Sequence, residues 1–179
     1  EGSIQFEIGI QSINQKTLQS IHRCVNITSL EKNIKRIPKS IHTHVDLIAG
    51  LPYEDLASFK QSFDFAFSLN ADMVQLGFLK ILAGTEMEKI AHAERNYKWS
   101  DRPPYEVLVS PEVSYDELIL LKRIDHVVDV LFNSGLMVHT MQKLSEIVGS
   151  TFKLFEDLSA FMSTWFSDND IFLPRRPSD

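Results

Sequence analysis

Apolar and polar residues alternate cleanly at the start of the chain. Ile4, Phe6, Ile8 and Ile10 fall on one side of an extended segment, Gln5, Glu7, Gly9 and Gln11 on the other. A period of two predicts a strand over Ile4–Ile10. The stretch His44–Pro52, His-Val-Asp-Leu-Ile-Ala-Gly-Leu-Pro, reads as a buried strand closed by a tight turn at Gly50 and Pro52. Alternation there puts Asp46, Ile48 and Gly50 on one face, Val45, Leu47 and Ala49 on the other. A third, almost continuously apolar segment, Met73–Leu82, ends at Ala83-Gly84-Thr85. Between the strands the spacing lengthens to three and four. Asn14 caps a short helix through Leu18, Ile21 and Val25. Thr28-x-x-Glu31 offers a capping box for a helix with Leu30, Ile34 and Ile37, ended by Pro38. Asp55 caps a helix whose apolar positions are Phe59, Phe63, Ala66 and Phe67, with Asn70 as its stop. Strands alternating with helices, the inner ones near-continuously apolar, predict parallel βα units with right-handed crossovers.

The pattern changes near residue 95. Tyr97–Pro104 is aromatic, charged and Pro-rich, and reads as a connector; beyond it no strand longer than Glu106–Val109 is expected. Ser114-x-x-Glu117 opens a helix carrying Leu118, Leu121, Ile124, Val128 and Leu131, closed near Gly135. Met137–Val148 with Gly149 as its stop is a second helix. Ser150–Phe166, with Phe152, Phe155, Leu158, Met162 and Trp165 in a stripe, is a third, and Pro174–Asp179 reads as a frayed end. The predicted organisation is α/β over residues 1–95, a connector over 96–113 and a helical region over 114–179.

Composition narrows the classes. In 179 residues, 44% hydrophobic and 23% charged, there is enough apolar material for one good core. A formal charge of −6 with scattered Lys and Arg argues against a nucleic-acid surface. No apolar run reaches the roughly 20 residues of a membrane helix. No signal peptide is visible, and one cysteine, Cys24, makes no disulfide framework, so the expected compartment is the reducing cytoplasm. The first residue is not Met and stands almost directly against a strand, so the chain is expected to be a piece of something longer.

The segments Glu7-Ile-Gly-Ile-Gln11-Ser12, Ile21-His22-Arg23 and Asp46-Leu-Ile-Ala-Gly50-Leu51-Pro52 together resemble the second half of the radical S-adenosylmethionine barrel. The nearest likeness is to the cobalamin-domain radical enzymes and the oxygen-independent coproporphyrinogen oxidases. Leu79-Lys-Ile-Leu-Ala-Gly84-Thr85 continues it as the family's last barrel strand, to about Glu88. The C-terminal helices resemble the extra domain of some cobalamin-type members. The likeness implies a half-barrel of TIM type, three of six strands, followed by a helical region. It implies S-adenosylmethionine and a 4Fe-4S cluster in the parent protein, and raises cobalamin as a further cofactor there. Carried over residue by residue, Gln11 and Asp46 would meet the ribose hydroxyls, Arg23 the methionyl carboxylate, and Gly50 the adenine side by close backbone approach. Glu7, Gln11, Asp46 and Gly50 are then expected on the concave side of adjacent strands, with Arg23 arriving from the first helix.

Plainer readings stand beside these. Asp46 can bond a neighbouring backbone or basic group, Arg23 can be a solvated helix residue, and Gln11 can satisfy a strand-end carbonyl. Lys80 can lay its stem over apolar surface, and His42 and His44 have strand spacing for a shared metal but no third ligand. The three-cysteine loop that ligates the family's cluster is absent, and Cys24 alone cannot hold four irons. The sequence therefore points to a piece of a radical S-adenosylmethionine iron–sulfur oxidoreductase without its cluster ligands, inactive by itself. Its partners are the missing barrel half, an unidentified substrate and, through the uncovered Ile4–Ile10 edge, a second copy of the chain. A non-catalytic α/β binding module and a non-redox barrel enzyme remain as alternatives.

Overall fold

The computed structural model describes residues 4–93 and 96–168, with backbone alone over the last three of them. Three strands, β1 (Gln5–Gln11), β2 (His42–Ala49) and β3 (Met73–Phe78), form a parallel sheet in the order β1-β2-β3. The crossovers are α1 (Gln15–Ser20) with α2 (Ile27–Ile34), and α3 (Leu56–Ser68). After β3 come α4 (Glu86–Ala93) and a small antiparallel pair, β4 (Lys98–Trp99) and β5 (Val107–Val109). The helical C-terminal region is α5 (Tyr115–Val128) running into a π-helical turn at Asp129–Asn133, then α6 (Val138–Val148) and α7 (Thr151–Asp168). This is an α/β chain, a parallel sheet followed by helices, compatible with a partial βα barrel. No helix among the described residues is long and apolar enough to cross a membrane. Pro174–Asp179 lie outside the described residues.

The caps explain most helix starts. Asn14 Oδ1 accepts from the backbone of Lys16 and Thr17, Asp55 Oδ1 from Ser58, and Ser114 and Glu117 form the reciprocal capping box. Three local readings differ from the sequence pattern. The cap of α2 is Asn26, whose Oδ1 accepts from Ser29 N at 2.9 Å, so Thr28 lies inside the helix and Thr28–Glu31 is not its box. β3 stops at Phe78, because Lys80 turns away to pair with Glu106. Helix α4 did not stand out from the apolar spacing, although Thr85-x-x-Glu88 marks it. Thr85 Oγ1 accepts from Glu88 N, and Glu88 Oε2 accepts from Gly84 N.

The core lies on one side of the sheet. Val45, Leu47 and Ala49 of β2, with Val74 and Leu76 of β3, pack under α3 and the C-terminal helices. Phe63 stacks edge-on against Phe152 and Phe155, and Phe67 against Phe132, so α3, α7 and the π-helical turn share one aromatic cluster. The outer edge of β3 is closed by a side chain. Asn133 accepts from Val74 N at 3.0 Å and donates to Val74 O at 2.9 Å, doing for one residue what a neighbouring strand would do. Among the described residues β1 is the sheet's other edge, with Ile4 and Phe6 59% and 42% exposed.

Candidate functional site

The register decides which residues share the uncovered face. Gly9 pairs with Asp46 and Asp46 with Gln75; Glu7 pairs with His44 and His44 with Met73. Partners in a parallel ladder point the same way, so Glu7, Gly9, His44, Asp46 and Gln75 stand on the side away from the core. The sequence pattern places Asp46 in the middle of a buried strand. It is half-buried instead, and only the Val45 and Leu47 side of β2 is sealed. Among the described residues it makes no side-chain hydrogen bond. Burial pushes its carboxyl above the ordinary aspartate value, Glu7 across the ladder adds to this, and His44 opposes it.

Gln11 reaches this face by a backbone irregularity. The β1–β2 register shifts between Gly9 and Gln11, and Gln11 adopts φ +68°, a left-handed conformation for a residue with a side chain. The bulge turns its amide back over Gly9. A Cβ built on Gly9 would collide with Gln11 Nε2 and stand 3.4 Å from Arg23 Nη1. Gly9 is thus the floor under an amide and a guanidinium, beside Asp46 on the next strand. The alternation of β1 did not single out Gly9; the signal was a glycine inside a strand, which marks a close approach.

Arg23 is placed by the end of α1. His22, at φ +57°, takes the left-handed position after the helix and donates from its backbone N–H to Gln19 O. Arg23 N then donates to Leu18 O at 2.8 Å, which completes a Schellman closure. The His22 ring sits 3.0 Å from Glu86 and links this corner to α4. The structure therefore brings Gln11 and Arg23 together over Gly9, one strand from Asp46. Gln11 Oε1 is buried without a hydrogen-bond partner among the described residues, and Arg23 nearby is half-buried. Two acceptors and a cationic fork thus stand near one another on the polar side of the sheet, a set suited to a ligand bearing hydroxyls and a carboxylate.

Gly50 stands apart from them. Its φ of +87° requires glycine, but the place of its missing side chain faces Leu79, Val107 and Leu118 within 4 Å. It serves the turn and the close packing of the C-terminal layer. Lys80 is exposed beyond β3. The rings of His42 and His44 lie edge to face, His42 close to Asp72 and His44 in contact with Gln5; no group of three metal-binding side chains occurs among the described residues.

One buried group went unremarked in the sequence. Glu54, fully enclosed, accepts from Ser12 Oγ at 2.5 Å and Ser62 Oγ at 2.9 Å through Oε1, while Oε2 has no partner among the described residues. Burial pushes its carboxyl up to about 7, against the lowering effect of the two serines.

A family model described as "Protein of unknown function (DUF4080)" matches residues 93–170, which run from the end of α4 through the helical region. No curated protein matches the chain. The matched segment carries Asn133 and the helices that seal the core side; the strands bearing Gln11 and Asp46, and the turn bearing Arg23, precede it.

Proposed function

We propose that this chain supplies the S-adenosylmethionine-facing strands of a radical S-adenosylmethionine iron–sulfur oxidoreductase. The observation that carries the reading is the juxtaposition of Gln11 and Arg23 over Gly9, beside Asp46 on a polar sheet face. The donor set suits the nucleoside part of the cofactor. Gln11 Oε1, buried without a partner, would accept from one ribose hydroxyl and the Asp46 carboxylate from the other. Arg23 would meet the methionyl carboxylate with its planar fork. The open side of the β1–β2–β3 face leaves the ligand room, and the bulge at Gln11 and the Schellman turn at His22 hold the two side chains before it arrives.

The residues present do not suit an iron–sulfur cluster. The chain has one cysteine, Cys24, and it is exposed. On this reading the cluster belongs to another part of the parent protein, and when bound the cofactor pair supplies radical chemistry. The residues of this chain would bind and orient, and the β1 edge, unpaired among the described residues, would receive another strand of the barrel.

The test begins with the parent reading frame, where a Cys-x-x-x-Cys-x-x-Cys loop is expected ahead of Glu1. Anaerobic iron–sulfide reconstitution of that parent should then give a cluster and reductive cleavage of S-adenosylmethionine. Arg23→Ala and Asp46→Ala should each lower the cleavage rate at least tenfold. The 179-residue chain alone should give neither cluster nor cleavage. A parent frame without the cysteine loop, or full cleavage by both variants, would sink the reading.

A further inference from the structure

The loop that follows Gln11 is held by a hydrogen-bond relay centred on Glu54. Ser12 and Ser62 both spend their hydroxyl protons on Glu54 Oε1, so their lone pairs are turned outward. Ser12 Oγ accepts from Asn14 N at 2.9 Å, and Ser62 Oγ accepts from Ile13 N at 3.1 Å. Asn14 closes the circuit by donating from Nδ2 to Tyr53 O at 2.9 Å, next to Glu54 in the turn after β2. Three segments therefore converge on one carboxyl: the β1–α1 loop, the β2–α3 turn and the middle of α3. Tyr53 takes φ +62° to bring Glu54 inward, a strained backbone that the relay must hold.

We propose that Glu54 is a proton-operated latch, closed when neutral, that joins the β1–α1 loop to the β2–α3 turn and so sets the position of Gln11. Neutral, the carboxyl leaves one unpaired O–H on Oε2, a smaller cost than an unpaired buried charge, although the two serine donors favour the ionised form. On ionisation Oε2 carries negative charge where no donor among the described residues reaches it. The available relief is for the loop to shift or for water to enter, and either loosens the hydrogen bonds to Ile13 and Asn14. Gln11 is joined to Ser12 through a left-handed backbone, so motion at Ser12 moves the amide over Gly9.

The charges around Glu54 do not compensate it. From its own turn Asp55 faces it and is itself held ionised, below the ordinary aspartate range, by the backbone and hydroxyl of Ser58. From α1 the Lys16 ammonium sits 4.1 Å from the Tyr53 ring centroid. From the β1–α1 loop and from α3 the groups facing it are the hydroxyls of Ser12 and Ser62. The chemistry makes the latch open as pH rises through neutrality, whatever ligand the uncovered face takes.

The experiment is an NMR pH titration of the 179-residue chain between pH 5 and 9, following the Glu54 side-chain carboxyl carbon, the Ile13 and Asn14 backbone amides and the Gln11 side-chain amide. All four should share one inflection near pH 7. In Glu54→Gln the three amides should lose it. Should that variant not fold, Ser62→Ala serves: Ile13 should lose the inflection and Asn14 keep it. A Glu54 carboxyl titrating near 4.5 would overturn the latch, as would amides that stay flat while Glu54 titrates. An amide inflection that survives Glu54→Gln belongs to a histidine and overturns it equally.

Discussion

On the side of the sheet packed by α3, Val45, Leu47, Ala49 and Val74 are each at most 1% exposed. On the other side the same strands present Glu7, His44, Asp46 and Gln75, none of them sealed. Both faces obey one alternation, but they are selected by different forces. The first is shaped by removal of apolar area from water and tolerates little change in volume. The second accepts a carboxyl whose ionisation the fold disfavours, an amide oxygen without a partner, and a left-handed glutamine. Such costs gather where side chains are positioned for something outside the chain.

The comparison breaks most sharply at the aromatic cluster. Phe63 is fully enclosed between Phe152 and Phe155, so Phe63→Ala should cost about 3–5 kcal/mol in chemical denaturation, the penalty of a large core cavity. The next effect follows pH. The folded Glu54 titrates near 7 against an unfolded value of 4.5, so its neutral form is the one the fold favours. That contribution is complete below 4.5 and lost as pH rises to 7, a fall of roughly 3 kcal/mol at about 1.36 kcal/mol per pH unit. Unfolding free energies at pH 5 and pH 8 should show it, and Glu54→Gln should flatten the slope.

A smaller loss is expected at the sheet edge. Asn133→Ala leaves the Val74 N–H and C=O unpaired and should cost about 1–3 kcal/mol. Hydrogen exchange at the Val74 amide should accelerate in the same variant. On the uncovered face the expectation reverses in sign. Asp46 has its carboxyl raised by burial and by Glu7, so Asp46→Asn should leave stability within about 0.5 kcal/mol at pH 7, with any change stabilising. A loss above 2 kcal/mol would show that Asp46 supports the fold and is not held for a ligand.

What could be read without a structure depends on near neighbours in the chain, although the Asn26 cap and helix α4 show that not every local feature was legible. The alternation of Ile4–Ile10 assigned the faces of β1 as far as Gly9, where the register shifts, and the spacing of Phe59, Phe63 and Ala66 found the buried stripe of α3. Asn14, Asp55 and the Ser114–Glu117 box announced their helix starts, because a cap is a contact over two or three residues. Ser12, Glu54 and Ser62 are separated by 42 and 8 residues, so no local pattern could join them into one buried cluster. Gly9 lies under Gln11 only because a bulge and a Schellman turn, not a periodicity, aim two side chains at one point. Asn133 finds Val74 across 59 residues for the same reason. Local sequence determines which way each side chain leaves its own strand or helix. The company it keeps depends on register, crossover and turn geometry, and those were decided when the strands and helices packed.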